Sequence, residues 1–224
     1  MWFNIIDDKL FPLMNGSDNL FLDGVMTSIT SAYTWIPLFL SLIFIIIRNN
    51  ETMRQILMII FFALVAVLLS GVVDDAIVKP LVMRVRPINE PMLGLSVDTV
   101  KGVSESSFSF FSAHSANTFA IATFVALLVR SNMLACFMFG WAALNAFSRV
   151  YLGVHYPTDI LVGMVWGGVM GCISYVAYDY LFYKHSPRIN YISSQYTKTG
   201  YSYGDIDFVI SIMVFTLAVI TIFF

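Results

Sequence analysis

Charge is scarce in this chain. Of its 224 residues, 12% are Asp, Glu, Lys or Arg while 58% are hydrophobic, and a mean hydropathy of +0.80 excludes an ordinary soluble globular domain. A net charge of −2 leaves no basic excess, which argues against nucleic acid as a partner. Cysteine is nearly absent: Cys136 and Cys172 both fall inside apolar runs, where they read as small packing residues and say nothing about compartment. No long polar linker and no internal repeat divides the chain, so one domain over residues 1–224 is expected. The start lacks the basic stretch and cleavage site of a secretory signal.

What is present in place of charge is length of apolar sequence. A run of about 18 to 25 apolar residues can cross a bilayer core as a helix, and six are found, at 27–47, 55–73, 113–130, 133–150, 158–182 and 206–224. The expected fold is therefore all-α, an integral membrane bundle of about six transmembrane helices over residues 27–224. Ahead of it, residues 1–26 mix Trp2, Phe3, Phe11 and Phe21 with Asp7, Asp8, Asp18 and Asp23, the pattern of a short helix lying in the interface. Gly163, Gly167 and Gly171, spaced by four, predict close packing of the fifth span on a neighbour.

If the spans alternate, one face carries the N-terminal segment, residues 74–112, the turn 150–157 and the C-terminus; the other carries 48–54, 130–132 and 183–205. The second face holds Arg48, Arg54, Arg130, Lys184, Arg188 and Lys198, while the first holds most of the acids together with Lys9, Arg84 and Lys101. Basic residues in short loops favour the cytoplasm, so the first face is expected to look outward.

Three polar clusters converge on that first face. Lys79 and Arg86, in "KPLVMRVRP", lie seven apart, so two helical turns would aim both side chains the same way. Ser112 and His114, in "FFSAHSANTF", open the third span, and Arg149, His155 and Asp159 straddle the junction of the fourth and fifth. Arg offers a planar fork of donors suited to phosphate oxygens and Lys adds a point charge, so the set reads as a phosphate cradle. Phosphoryl transfer is catalysed mainly by positioning and charge stabilisation. Two histidines supply the remaining roles, one attacking phosphorus and the other protonating the departing oxygen, and Asp159 can hold the attacking imidazole in its productive tautomer.

In these residues the chain resembles the type 2 phosphatidic acid phosphatases, membrane relatives of the vanadium haloperoxidases. "K79-x6-R86-P87", "S112-A113-H114" and "S148-R149-x5-H155-x3-D159" look like that family's three-part motif, and the likeness spans about Lys79 to Asp159. It implies that Lys79, Arg86 and Arg149 bind phosphate, with Ser112 and the Ala113 backbone N–H assisting. It also implies that His155 forms a phosphohistidine, that Asp159 is its partner, that His114 is the acid, and that no metal or other cofactor is needed. The middle motif usually reads Pro-Ser-Gly-His; here it is Phe111-Ser112-Ala113-His114. Glycine permits unusual backbone angles and close approach to a ligand, so Ala113 is expected to tune substrate fit. The family's usual core has three spans before its first motif, where this chain has two plus the interfacial segment.

The implied activity is removal of a terminal phosphate from a lipid phosphate or diphosphate; the compactness of the chain points to a bacterial inner membrane, and the charge asymmetry of the loops to a site on the periplasmic side. Candidate lipids are prenyl diphosphates, phosphatidic acid or phosphatidylglycerol phosphate, and the phosphorylated sugar headgroup of lipid A. Residues 88–110 form the expected selectivity loop. A phosphotransferase using the same site is the alternative. A channel or transporter predicts charges through the bilayer depth, and the span centres are almost free of them. A metal-dependent hydrolase predicts a helical ligand spacing such as H-E-x-x-H, which is missing. A Ser112–His155–Asp159 triad leaves the basic residues unexplained. Arg84 and Arg130 read as membrane anchors, His185 as a loop residue, and Asp74 with Asp75 as a hydrated helix end open to an ion pair with Lys79.

Overall fold

The computed structural model describes residues 2–16, 19–90, 97–98, 100, 103, 105–187 and 190–223, with side chains from Ile6 onward. Asp18, Lys101 and Arg188, the side chains of Trp2 and Phe3, and residues 91–96, 99, 101–102 and 104 of the expected selectivity loop lie outside the described set. The elements are α1 (Trp2–Met14), α2 (Leu20–Thr30), α3 (Ile36–Asn49), α4 (Met53–Val73), α5 (Lys79–Val82), α6 (Ala113–Val129), α7 (Asn132–Tyr151), α8 (Pro157–Tyr183) and α9 (Tyr203–Phe223). By length and apolar composition five stretches can cross a bilayer: Ala32–Asn49, Met53–Asn89, Asn132–Tyr151, Pro157–Tyr183 and Tyr203–Phe223. The sixth expected span is α6, 17 residues long.

The helices start where the sequence offers caps. Thr52, Ser112 and Ser131 accept from the N–H groups of Gln55, Ser115 and Leu134, so α4, α6 and α7 each open on a hydroxyl. Their faces then sort by solvent. On α4, Ile59, Phe62 and Ala66 are buried against protein, while Leu57, Phe61, Leu64 and Leu68 stay exposed, which is the outward apolar stripe that lipid requires.

α6 and α8 form the packed centre, and the glycine ladder explains how closely. A Cβ on Gly163, Gly167 or Gly171 would sit 2.7, 2.0 or 2.5 Å from the backbone oxygens of Ser112, Ala116 and Ala120, so these positions admit only hydrogen. The predicted close packing is what the structure has. It also holds the start of α6 against the start of α8, which is where the polar clusters meet.

Two expectations change. The first span, read as continuous over 27–47, is broken: α2 ends at Thr30, Ser31 is extended, and a 3-10 turn over Ala32–Trp35 precedes α3. Thr34 Oγ1 and Trp35 Nε1 donate to the carbonyls of Ser28 (2.7 Å) and Ile29 (2.8 Å), which stabilises the break, and Pro37 suits the first turn of the helix that follows. The N-terminal segment is not a single surface helix. α1 packs on α7 and α8 with Asp7 and Phe11 buried, and α2 runs across the expected boundary at 26–27.

At the far end of the bundle, Ser202 N–H donates to Asn49 Oδ1, Asn50 Nδ2 to the Tyr201 hydroxyl, and Thr199 to the Val129 carbonyl. The loops 48–54, 130–132 and 183–205 therefore share one end, as the alternation predicts.

Candidate active site

The turn from α7 into α8 builds the centre. Gly153, at φ +72°, reverses the chain, and the N–H groups of Val154 and His155 both reach the Arg149 carbonyl. Arg149 and His155 are thereby fixed on the same turn. Asp159 follows as the third residue of α8, its Oδ2 accepting from the Tyr156 N–H at 3.0 Å, so the residue that caps the helix is also the one that faces His155.

Arg86 reaches the turn from the other side. Its Nε and Nη2 donate to the Ser107 carbonyl (2.7 Å) and hydroxyl (2.8 Å), and its Nη1 donates to the Val154 carbonyl at 2.9 Å. Nη1 also lies 3.1 Å from His155 Nε2. Arginine has no acceptor, so this contact requires Nε2 to carry the lone pair and Nδ1 the proton. Nδ1 faces Asp159 Oδ2 at 3.7 Å, longer than a direct hydrogen bond; Oδ2 is already engaged by Tyr156 N–H and the Ser109 hydroxyl. Burial pushes the His155 imidazole down to about 4, with the Arg86 and Arg149 charges adding to that and Asp159 opposing it. At neutral pH it is an uncharged ring whose Nε2 carries the lone pair.

Arg149 lies beside Arg86, and one carboxylate joins them: Glu105 Oε1 accepts from Arg149 Nη2 at 2.9 Å and Oε2 lies 3.7 Å from Arg86 Nη2. Burial alone would raise the Glu105 carboxyl, but the Arg149 hydrogen bond and the two guanidinium charges outweigh it and hold it below the ordinary glutamate value. Arg149 Nη1 also donates to Thr30 Oγ1 (3.1 Å), and His114 Nε2 lies 3.2 Å from the Thr30 carbonyl. The break after α2 thus supplies a residue that ties the second histidine to the clamp.

Lys79 takes a different position from the one its spacing predicts. A π-helical turn over Asp74–Val78 precedes it, α5 ends at Val82, and Met83 turns left-handed at φ 48°, so Lys79 and Arg86 do not share a helix. Lys79 Nζ pairs instead with Asp75 Oδ1 at 2.5 Å and Asp74 Oδ2 at 3.1 Å. Asp74 Oδ1 accepts from the Phe111 N–H, which places the lysine beside the start of α6. There Ser112 is fully buried, caps the helix and donates its N–H to the Asp159 carbonyl at 3.2 Å. Ala113 is the first residue of α6, where backbone N–H groups point out of the helix end.

Arg84 is not a membrane anchor. Its Nη1 donates to Asp159 Oδ1 at 2.7 Å and to Thr158 Oγ1 at 2.9 Å, and its Nη2 to Asp7 Oδ2 at 2.6 Å. The guanidinium also stacks 3.9 Å from the Tyr156 ring centroid. A residue this committed cannot face lipid headgroups. Arg130, in contrast, is exposed at the opposite end, as an anchor would be.

The structure thus gathers Arg86, Arg149, His155 and Asp159 directly, His114 through Thr30, and Lys79 and Ser112 through the start of α6. Sequence reasoning missed Glu105, Ser109, Thr30, Thr158, Asp7 and the buried contacts of Arg84. The "RVR" spacing of Arg84 and Arg86 was the available signal, because alternate residues of an extended stretch point to one side.

Guanidinium groups and a lysine beside a neutral, buried histidine, at one end of an apolar helix bundle, define a membrane-embedded phosphatase. The chain belongs to the PAP2 superfamily, whose sequence profile matches residues 56–183. It is 33% identical over 172 residues to the lipid A 4'-phosphatase of Bacteroides thetaiotaomicron, covering 76% of each chain. Among solved structures, Aquifex aeolicus LpxE superposes with a TM-score of 0.56 at 26% identity, covering 74% of this chain and 92% of that one. The PAP2-type phosphatidylglycerolphosphate phosphatase from Bacillus subtilis gives a TM-score of 0.56 at 27% identity, with 81% and 86% covered. The enzyme is a lipid phosphatase of the PAP2 type.

Proposed function

We propose that the enzyme removes a terminal phosphate from a lipid phosphate through a phosphohistidine on His155, with the site facing the outer side of a bacterial inner membrane. The observation that carries this reading is Glu105: a carboxylate seated between Arg86 and Arg149, beside His155 Nε2, marks where a phosphate group would replace it. Arg86, Arg149 and Lys79 bind the equatorial oxygens, assisted by Ser112 and the Ala113 N–H. Nε2 attacks phosphorus, the ester bond breaks, and His114 gives its proton to the departing lipid oxygen. Water then attacks the phosphohistidine with His114 as base, and phosphate leaves. Asp159 stabilises the ring as it becomes positively charged. The donor set is mostly cationic, chemistry that attracts an anion and repels a metal ion.

The phosphorylated sugar headgroup of a lipid A type molecule is the substrate to try first, since relatives bearing that activity by name match three quarters of the chain. Phosphatidylglycerol phosphate and prenyl diphosphates are the other arms. The test is release of inorganic phosphate from this panel in detergent, wild type beside His155→Ala. Loss of turnover in a folded variant, with acid-labile phosphate trapped on the wild-type protein, is the expected result. Near-normal turnover by His155→Ala overturns the nucleophile. Transfer to a lipid acceptor in preference to water would establish the phosphotransferase alternative.

A further inference from the structure

Three charged groups link the N-terminal helix to the histidine of the site: Asp7 on α1, Arg84 beyond α5 and Asp159 on α8, whose Oδ2 faces His155. Asp7 is buried and doubly committed. Its Oδ1 accepts the Thr158 N–H at 2.9 Å, and its Oδ2 accepts the Thr158 hydroxyl at 2.6 Å besides Arg84. One carboxylate therefore caps the start of α8 and holds the guanidinium that holds Asp159.

The two oxygens of Asp159 divide their partners. Oδ1 takes Arg84; Oδ2 takes the Tyr156 N–H and the Ser109 hydroxyl and is the oxygen nearest His155 Nδ1. A carboxylate pinned at one oxygen by a guanidinium cannot rotate about its last bond without breaking a charge-assisted contact. Arg84 also meets the need of a fully buried anion for a compensating charge. The Tyr156 ring under the guanidinium and Asp7 behind it leave Arg84 little freedom to swing toward the phosphate clamp.

We propose that Arg84, anchored by Asp7, is a positioning residue for the reaction: it fixes the Asp159 carboxylate so that Oδ2 faces His155 Nδ1, and the N-terminal helix is thereby part of the catalytic machinery. The inference rests on His155 being the nucleophile.

The charged groups facing this chain are few. His155 is faced by Asp159, Arg86, Arg149 and Glu105; Asp159 by Arg84, His155 and Arg86; Arg84 by Asp7, Asp159 and the Tyr156 ring. Removing Arg84 takes away the one guanidinium bonded directly to Asp159 and leaves more of its charge to His155, which favours the imidazolium. The acid limb of the rate profile, where His155 becomes protonated, then moves to higher pH.

The experiment compares wild type, Arg84→Gln, Arg84→Lys, Asp7→Asn and His155→Ala on one hydrolysed lipid phosphate, with kcat, KM and the pH profile measured for each. For Arg84→Gln, kcat should fall about 10- to 100-fold, the scale seen for groups that orient a catalytic ligand from behind, with KM within about 2-fold of wild type and the acid limb raised. Arg84→Lys should return the limb to its place and much of the rate, and Asp7→Asn should move the limb part of the way. A fall at every pH with the limb unmoved indicates a folding role only and overturns the proposal. A large rise in KM with kcat kept makes Arg84 a substrate ligand and overturns it too. Activity surviving in His155→Ala would instead remove the reading on which it rests.

Discussion

Glu105→Gln removes one charge and almost no volume, and it does so at the one anion already lodged between Arg86 and Arg149. A phosphate entering the clamp has to displace that carboxylate or endure its repulsion, so the glutamate competes with the substrate in either case. The Arg149 contact at 2.9 Å is a charge-assisted hydrogen bond, worth about 1.5 to 3 kcal/mol where well formed. The Arg86 contact at 3.7 Å adds little. Because the Glu105 side chain is 37% exposed, solvent screening reduces the sum, leaving about 1 to 2 kcal/mol. That converts to roughly 5- to 30-fold tighter anion binding in the variant. The assay is inhibition by orthophosphate and by vanadate, with KM for the lipid phosphate measured alongside. Tighter inhibition by both anions and a lower KM are expected, with kcat changed less. Unchanged or weaker inhibition in folded Glu105→Gln would mean that the phosphate does not sit between these guanidiniums, and the site assignment would fall with it.

Two more expectations come directly from the geometry. The proposed attack needs neutral His155, and burial lowers its pKa to about 4, so the enzyme-borne acid limb of kcat/KM should lie near pH 4, activity being lost as pH falls through it. Comparing two substrates whose phosphates titrate differently separates the limb that stays put; a limb at 6.5 with both would contradict a buried neutral ring. In the core, Gly167→Ala forces a Cβ against the Ala116 carbonyl, whereas at Gly168 the nearest atom lies 3.8 Å away. Thermal melts in detergent should show Gly167→Ala destabilised by about 1 to 3 kcal/mol and Gly168→Ala unharmed; equal melting of the two would refute the close approach of α6 and α8.

The sequence made the bundle legible because lipid imposes length and hydrophobicity on every span, and those survive in composition alone. It made Arg86, Arg149, His155 and Asp159 legible because they cluster within a short turn and its facing loop. The break at Ser31 escaped notice because an apolar run looks the same whether or not its helix is continuous. Lys79 and Arg86 were wrongly joined into one helix face because nothing in "KPLVMRVRP" announces the left-handed Met83. Arg84 was misassigned for a related reason: a cation at a span end has the same local pattern whether its partner is a headgroup or a buried Asp7 from a distant helix. Glu105 carried no pattern, since its role depends only on where a loop lays it down.

The pairing of charges indicates where the anion belongs without reference to any relative. Among the described residues of this end of the bundle, Lys79 is matched by Asp74 and Asp75, and Arg84 by Asp7 and Asp159. Arg86 and Arg149 share Glu105, so two cations meet one anion there and nowhere else in the cluster. Buried cations with a charge left over are costly unless an anion arrives, and the half-exposed Glu105 side chain shows that this spot has the access a ligand needs. A phosphate dianion in place of Glu105 would balance the pair, and it would do so next to the uncharged imidazole of His155. Excess positive charge, access and a lone pair thus coincide at one point, which is the physical reason to expect phosphoryl chemistry there.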